Sequence, residues 1–127
     1  MYMGMRGDQM IFGLPGNPAS ALICYHEYVL PALKKFQGFE NRDSPRLQLP
    51  LGQEIRKKTG LTHFLRGAFV KDAQGKTFVM PLPGQNSHMM QSFARADVLI
   101  VVPEDVTHLA CGDRVEVHPL PGREEPT

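Results

Sequence analysis

The sequence predicts an α+β chain that is mainly β: an N-terminal β-hairpin and kinked helix, followed by a small β-barrel-like domain with one short helix. Three observations carry this. Apolar residues recur at helical spacing in one long stretch, from Leu22 to Phe36. Short alternating or β-branched runs fill the sequence after Leu47, and the polar segment GFENRDSPR from Gly38 to Arg46 divides the two regions. With 127 residues, 42% of them apolar, the chain can bury a core without disulfide staples.

The first unit spans residues 1–43. Tyr2 to Met5 and Gln9 to Gly13 are β-compatible runs joined by Arg6-Gly7-Asp8, a turn of hairpin length. In the helix that follows, Leu22, Tyr25, Val29, Leu33 and Phe36 form an apolar stripe. Asn17 suits the N-cap and Pro18 the first helical position, where a missing N–H costs nothing. Lys34, Lys35 and Gly38 supply the stop. Pro31 cannot donate to the carbonyl of Glu27, so a kink is expected there. A hairpin alone cannot cover this stripe, which should dock on the second unit or on another copy of the chain.

The second unit spans residues 44–120, and 121–127 should be a flexible tail. Leu47, Leu49 and Leu51 alternate with Gln48 and Pro50. Thr62 to Lys71 and Lys76 to Leu82 form a hairpin around Asp72-Ala73-Gln74-Gly75. Ser87 to Arg95 reads as a short helix and Val98 to Val102 as a buried strand. Arg114 to His118 alternates polar and apolar after a turn at Ala110 to Asp113. About five short strands with one small helix argue for a compact barrel.

Composition narrows the function. Fourteen Lys and Arg against 13 Asp and Glu leave a net charge of +1, which does not favour nucleic acid as a partner. The longest apolar run, Val98 to Pro103, is too short to cross a bilayer, and the start resembles no signal peptide. Cys24 and Cys111 have neither metal-ligand spacing nor an activating setting, so a reduced, cytoplasmic compartment is expected.

Gly13 to Ser20 is the most informative segment. A strand ends, glycines allow close backbone approach, and a helix N-terminus opens at once, which is the geometry of an anion site. Amides near Gly16, Ala19 and Ser20, with the Ser20 hydroxyl, could face a phosphate or oxyanion. The same residues also suit a tight strand-to-helix connection. Neither a Walker loop nor a dinucleotide fingerprint is present.

The run Phe12-Gly13-Leu14-Pro15-Gly16-Asn17-Pro18-Ala19-Ser20-Ala21, continued by Val29-Leu30-Pro31-Ala32-Leu33, resembles the molybdopterin molybdenumtransferase family, which includes bacterial MoeA and the E domain of gephyrin. Phe64-Leu65-Arg66-Gly67, Gly84-Gln85-Asn86-Ser87, Ala94-Arg95-Ala96-Asp97 and Gly112-Asp113-Arg114-Val115-Glu116-Val117 follow in the family's order. The resemblance covers nearly the whole chain. It implies a C-terminal fragment, with the hairpin and helix as the end of an α/β third domain and the β-rich unit as the fourth. The family's Lys-Pro-Gly-Lys-Pro stretch and its acidic residues around magnesium are then expected upstream.

The resemblance also implies an activity, the insertion of molybdate into adenylylated molybdopterin with Mg2+, in a homodimer whose clefts join one subunit's third domain to its partner's fourth. Carried over, Gly16, Asn17 and Ser20 match the third-domain side, while Arg66 and Ser87 match residues that help hold molybdate. An arginine fork and a hydroxyl suit a tetrahedral dianion. Read without the family, Arg66 is a solvated strand charge and Ser87 only an N-cap. The alternative function is a non-catalytic interaction module of gephyrin type.

Other polar residues read as ordinary. His26 and Glu27 are adjacent on a helix and are expected at the surface. His63, His88, His108 and His118 show no ligand spacing and no evident orienting carboxylate. Met3, Met5, Met10, Met80, Met89 and Met90 are expected to fill core or interface gaps.

Overall fold

The structure, a computed structural model, describes residues 2–14, 16, 18–38, 46–83 and 95–120, with the backbone alone at 18–20. They fall into two compact units.

In the first unit, β1 (Tyr2–Arg6) and β2 (Gln9–Gly13) pair antiparallel from Arg6↔Gln9 to Tyr2↔Gly13. Gly7 has φ +59° and Asp8 a negative φ, the signs of a type II′ turn, whose twist matches that of the strands. The helical stretch is α1 (Pro18–Cys24), a π-helical segment Tyr25–Val29, and α2 (Leu30–Phe36). The interruption expected at Pro31 takes the form of this widened turn. Leu30 donates its amide to the Tyr25 carbonyl, five residues back, just before the position where Pro31 has no N–H to offer. The stop is as expected: Lys34 and Lys35 occupy the last turn, and Gly38 takes φ +82° with its amide on the Lys35 carbonyl at 3.1 Å.

The apolar stripe is left largely uncovered, because a two-stranded hairpin is too small to bury it. Of the expected stripe only Val29 is buried, while Leu22, Tyr25, Leu33 and Phe36 stay exposed. His26, expected at the surface, is buried. Met3 and Met5 are exposed at 57% and 65%, so neither fills a core gap within the chain.

The second unit is a five-stranded antiparallel sheet of order β3-β9-β7-β5-β6, formed by β3 (Leu47–Pro50), β5 (His63–Lys71), β6 (Thr77–Pro81), β7 (Val98–Val102) and β9 (Arg114–Pro119). It is nearly closed into a barrel. Leu51 bridges Val79, and Gly52 donates its amide to the Val79 carbonyl at 2.8 Å, joining the two edges. Closure removes the exposed edges that an open sheet would present. The expected strands all form, and a further short pair, β4 (Ile55–Arg56) with β8 (His108–Leu109), lies beside them. The short helix expected over Ser87–Arg95 lies outside the described residues except for Arg95, which is helical. The tail at 121–127 also lies outside them.

Alternation sorts the side chains. Leu49, Leu51, Ile55, Val79, Val98, Ile100, Val102, Val115 and Val117 form the core, with Leu65 and Phe69 packed against it. The β5–β6 turn is closed by Asp72, whose Oδ1 accepts from the amides of Gln74 at 2.8 Å and Lys76 at 2.9 Å, while Gly75 takes φ +82°. No helix among the described residues is long and apolar enough to cross a membrane.

Candidate functional site

Arg66 lies in the middle of β5, where Leu65 and Gly67 on either side face the core partners Ile100 and Val98. Alternation therefore turns Arg66 to the sheet's other face, opposite Leu99 of β7. That face is buried as well. Leu99 is fully buried without belonging to the core cluster, and Arg66 is only 2% exposed. The solvated strand charge that residue-level reading allowed is thus corrected. Burial pushes the guanidinium pKa down from its ordinary value, yet arginine keeps its charge. The Arg66 carbonyl accepts the Leu82 amide at 2.9 Å, which anchors the start of the segment after β6.

The same row continues into β9. Leu99 pairs with His118, so Arg66, Leu99 and His118 share one face across three strands. His118 is 6% exposed, and its Nε2 lies 3.1 Å from Oε2 of Glu116. The Phe64 ring sits 6.5 Å from the imidazole at 51°. The expectation that His118 has no orienting carboxylate is therefore wrong. Glu116 and His118 are two apart on a strand and must share a face, a signal that the sequence does carry. His108 is likewise paired, 2.9 Å from Oε1 of Glu54, which also bonds Arg56. That cluster is exposed, and Arg56, first by hydrogen bonding and then by charge, holds the Glu54 carboxyl below its usual range.

The remaining predicted residues are described unevenly. Gly16 is exposed in a bend after β2, has no positive φ, and a Cβ placed there would meet nothing within 4 Å. Among the described residues nothing packs against that position. Ser20 lies in the first turn of α1, its side chain outside the description. Asn17 and Ser87 lie outside the described residues.

Among the described residues no group of three or more His, Cys, Asp or Glu could hold a metal ion, so they do not fit a magnesium site. A groove of about 330 Å³ adjoins the row of Arg66, Leu99 and His118 through Glu116 and is lined also by Val101, Pro103, Val106, Leu109 and Arg114.

These features define a small, nearly closed antiparallel β-barrel module with a buried cation on the outer face of its sheet. Residues 48–120 match the family described as the MoeA C-terminal region (domain IV), and the chain belongs to that family. It is 30% identical over 109 residues to a molybdopterin molybdenumtransferase of Haemophilus influenzae, covering 85% of this chain and 27% of that protein. It is 32% identical over 114 residues to gephyrin of Dictyostelium discoideum, covering 84% of this chain and 16% of that one. Among solved structures, a molybdopterin biosynthesis MoeA protein of Pyrococcus horikoshii aligns with a TM-score of 0.69 at 29% identity, over 92% of this chain and 28% of that one. The chain thus spans 27% of the length of the Haemophilus relative.

Proposed function

We propose that the chain is the C-terminal part of a molybdopterin molybdenumtransferase that inserts molybdate into adenylylated molybdopterin during molybdenum cofactor biosynthesis. The observation that carries this reading is Arg66: within a barrel of this family, a permanent cation is held buried on a strand, on the face away from the apolar core. A fixed guanidinium with few competing waters is suited to binding a tetrahedral dianion. In this reading Arg66 and Ser87 hold molybdate, and Gly16, Asn17 and Ser20 offer amides and a hydroxyl to the pterin substrate's anionic groups. Magnesium is held by residues outside this chain, and no step is assigned to it here.

The complete protein acts as a cytoplasmic homodimer in the same reading. The exposed apolar residues of the first unit, with Tyr2 at 71% and Phe36 at 63%, supply surface for subunit or domain contact. The test is cofactor formation from adenylylated molybdopterin and molybdate by the complete protein that contains this chain. Activity that depends on molybdate supports the reading, and a purified complete protein that forms no cofactor contradicts it.

A second reading rests on the groove beside β7 and β9. Its apolar lining with two charged residues suits an extended peptide, as an interaction module of gephyrin type would need. Reversing the charge of the exposed Arg114 (Arg114→Glu) would then weaken partner binding and leave cofactor formation intact.

A further inference from the structure

We propose that Lys57 is a latch at one end of the barrel: its ammonium group holds the β4–β5 loop against the β7–β8 loop and so fixes the groove wall formed by Pro103 and Val106. The inference rests on neither reading of the function.

Residues 57–62 join β4 to β5, and residues 103–107 join β7 to β8. The short strands beside these loops pair at only two positions, Ile55↔Leu109 and Arg56↔His108. Lys57 is half-buried and every other residue of its loop is exposed, with Leu61 at 72%. No residue of that loop belongs to the core cluster or packs against it. Apolar burial therefore does not hold the loop, and polar contacts must.

Two of these contacts are between main chains. The Lys57 amide donates to the Thr107 carbonyl at 2.9 Å, and the Gly60 amide to the Glu104 carbonyl at 3.2 Å. The Lys57 side chain then spans both loops. Its Nζ donates to the carbonyls of Leu61 at 2.9 Å, Lys58 at 3.3 Å and Glu104 at 3.4 Å. An ammonium has three N–H donors and no acceptor, so these oxygens match its full donor set. Holding a lysine in one place costs rotamer entropy, which three charge-assisted bonds offset better than one.

The link to the groove runs through Glu104. It stands inside the turn in which the Val106 amide donates to the Pro103 carbonyl at 3.2 Å, so a shift of Glu104 moves both groove residues. A neutral side chain of similar length at position 57 keeps the stem and loses the donors. Only the two main-chain bonds then remain across the loops. Opening of such an exposed segment uncovers little apolar surface, so it should stay local and leave the rest of the barrel intact.

The experiment is amide hydrogen exchange by nuclear magnetic resonance on the full 127-residue chain, native against Lys57→Met and Lys57→Arg. In Lys57→Met we expect the amides of position 57 and Gly60 to exchange about tenfold faster, the Val106 methyl signals to move, and the β7 amides to keep their native rates. Lys57→Arg, which keeps a charged donor, should lie closer to the native chain. Unchanged exchange at Gly60, or unmoved Val106 methyls, overturns the proposal. So does an equal acceleration throughout β7, which marks general destabilisation instead of local opening. Should Lys57→Met not fold, side-chain relaxation in the native chain decides. A Lys57 Cε clearly more ordered than that of the exposed Lys58 supports the latch, and one equally mobile overturns it.

Discussion

The carboxylate of Asp97 accepts the amide of Phe69 at 3.1 Å, one step beyond the point where the β5–β7 ladder ends at Gly67↔Val98. The Asp97 backbone extends the same seam, since its amide donates to the Gly67 carbonyl at 2.9 Å and its carbonyl accepts from Leu120 at 2.9 Å. One residue thus ties β5, β7 and the end of β9 together directly beside Arg66. Asp97→Ala leaves a half-buried amide without its acceptor and should cost about 1–3 kcal/mol in urea denaturation. Asp97→Asn keeps an oxygen acceptor and should recover most of that loss.

Gly67 is required by space. A Cβ there would lie 2.7 Å from Cδ1 of Ile100 and 3.1 Å from the Met80 carbonyl oxygen. The isoleucine can turn away, but the backbone oxygen cannot. Gly67→Ala should therefore destabilise the barrel by about 1–3 kcal/mol, whereas Gly16→Ala, in open space, should be near neutral. Parallel thermal melts of the two variants check the contrast.

Glu54 sets an acid-side dependence. Its folded carboxyl titrates below its unfolded counterpart because Arg56, and to a lesser degree His108, favour the anion. Its contribution is complete above the usual carboxylate range and is lost as pH falls through the depressed folded value. The cluster is solvent-exposed, so the effect should be small and weakened by salt. The melting difference between the native chain and Glu54→Gln should be present at neutral pH and vanish in acid. A difference that grows in acid contradicts this assignment.

Activity should be absent from the isolated chain. It spans 28% of a Mycobacterium tuberculosis relative named molybdopterin molybdenumtransferase 2, and its described residues offer no metal cluster. Cofactor formation by the purified 127-residue chain would sink the reading that magnesium and its ligands lie elsewhere.

Much of the fold is readable from residues whose conformational demands are narrow. Gly7 between two β runs marks the first hairpin, Asp72 and Gly75 mark the second, and Gly38 after Lys34 and Lys35 marks the helix stop. The pair β4–β8 is not readable, because two residues per strand are too few to show a period. The π turn is not readable either: Pro31 signals an interruption of the helix, but not the form that the interruption takes.

The candidate site is readable in part. Arg66 stands in the run Phe64-Leu65-Arg66-Gly67-Ala68-Phe69, and such a run without alternation marks a strand covered on both faces. Its burial was therefore available to a closer reading, as was the Glu116–His118 pairing. What closes over Arg66 and Leu99 depends on tertiary contacts, which no local pattern specifies.

Arg66→Ala carries the central claim. At 2% exposure the truncation removes a buried stem as well as a charge, so a loss of about 1–3 kcal/mol of stability is expected and Arg66→Lys is the better probe. Lysine keeps the positive charge but not the planar fork. The decisive measurement is the molybdate concentration dependence of cofactor formation by the complete protein, native against Arg66→Lys. The account predicts a KM for molybdate raised by about tenfold or more, with the dependence on adenylylated molybdopterin little changed. An unchanged molybdate KM in a folded Arg66→Lys protein would contradict it.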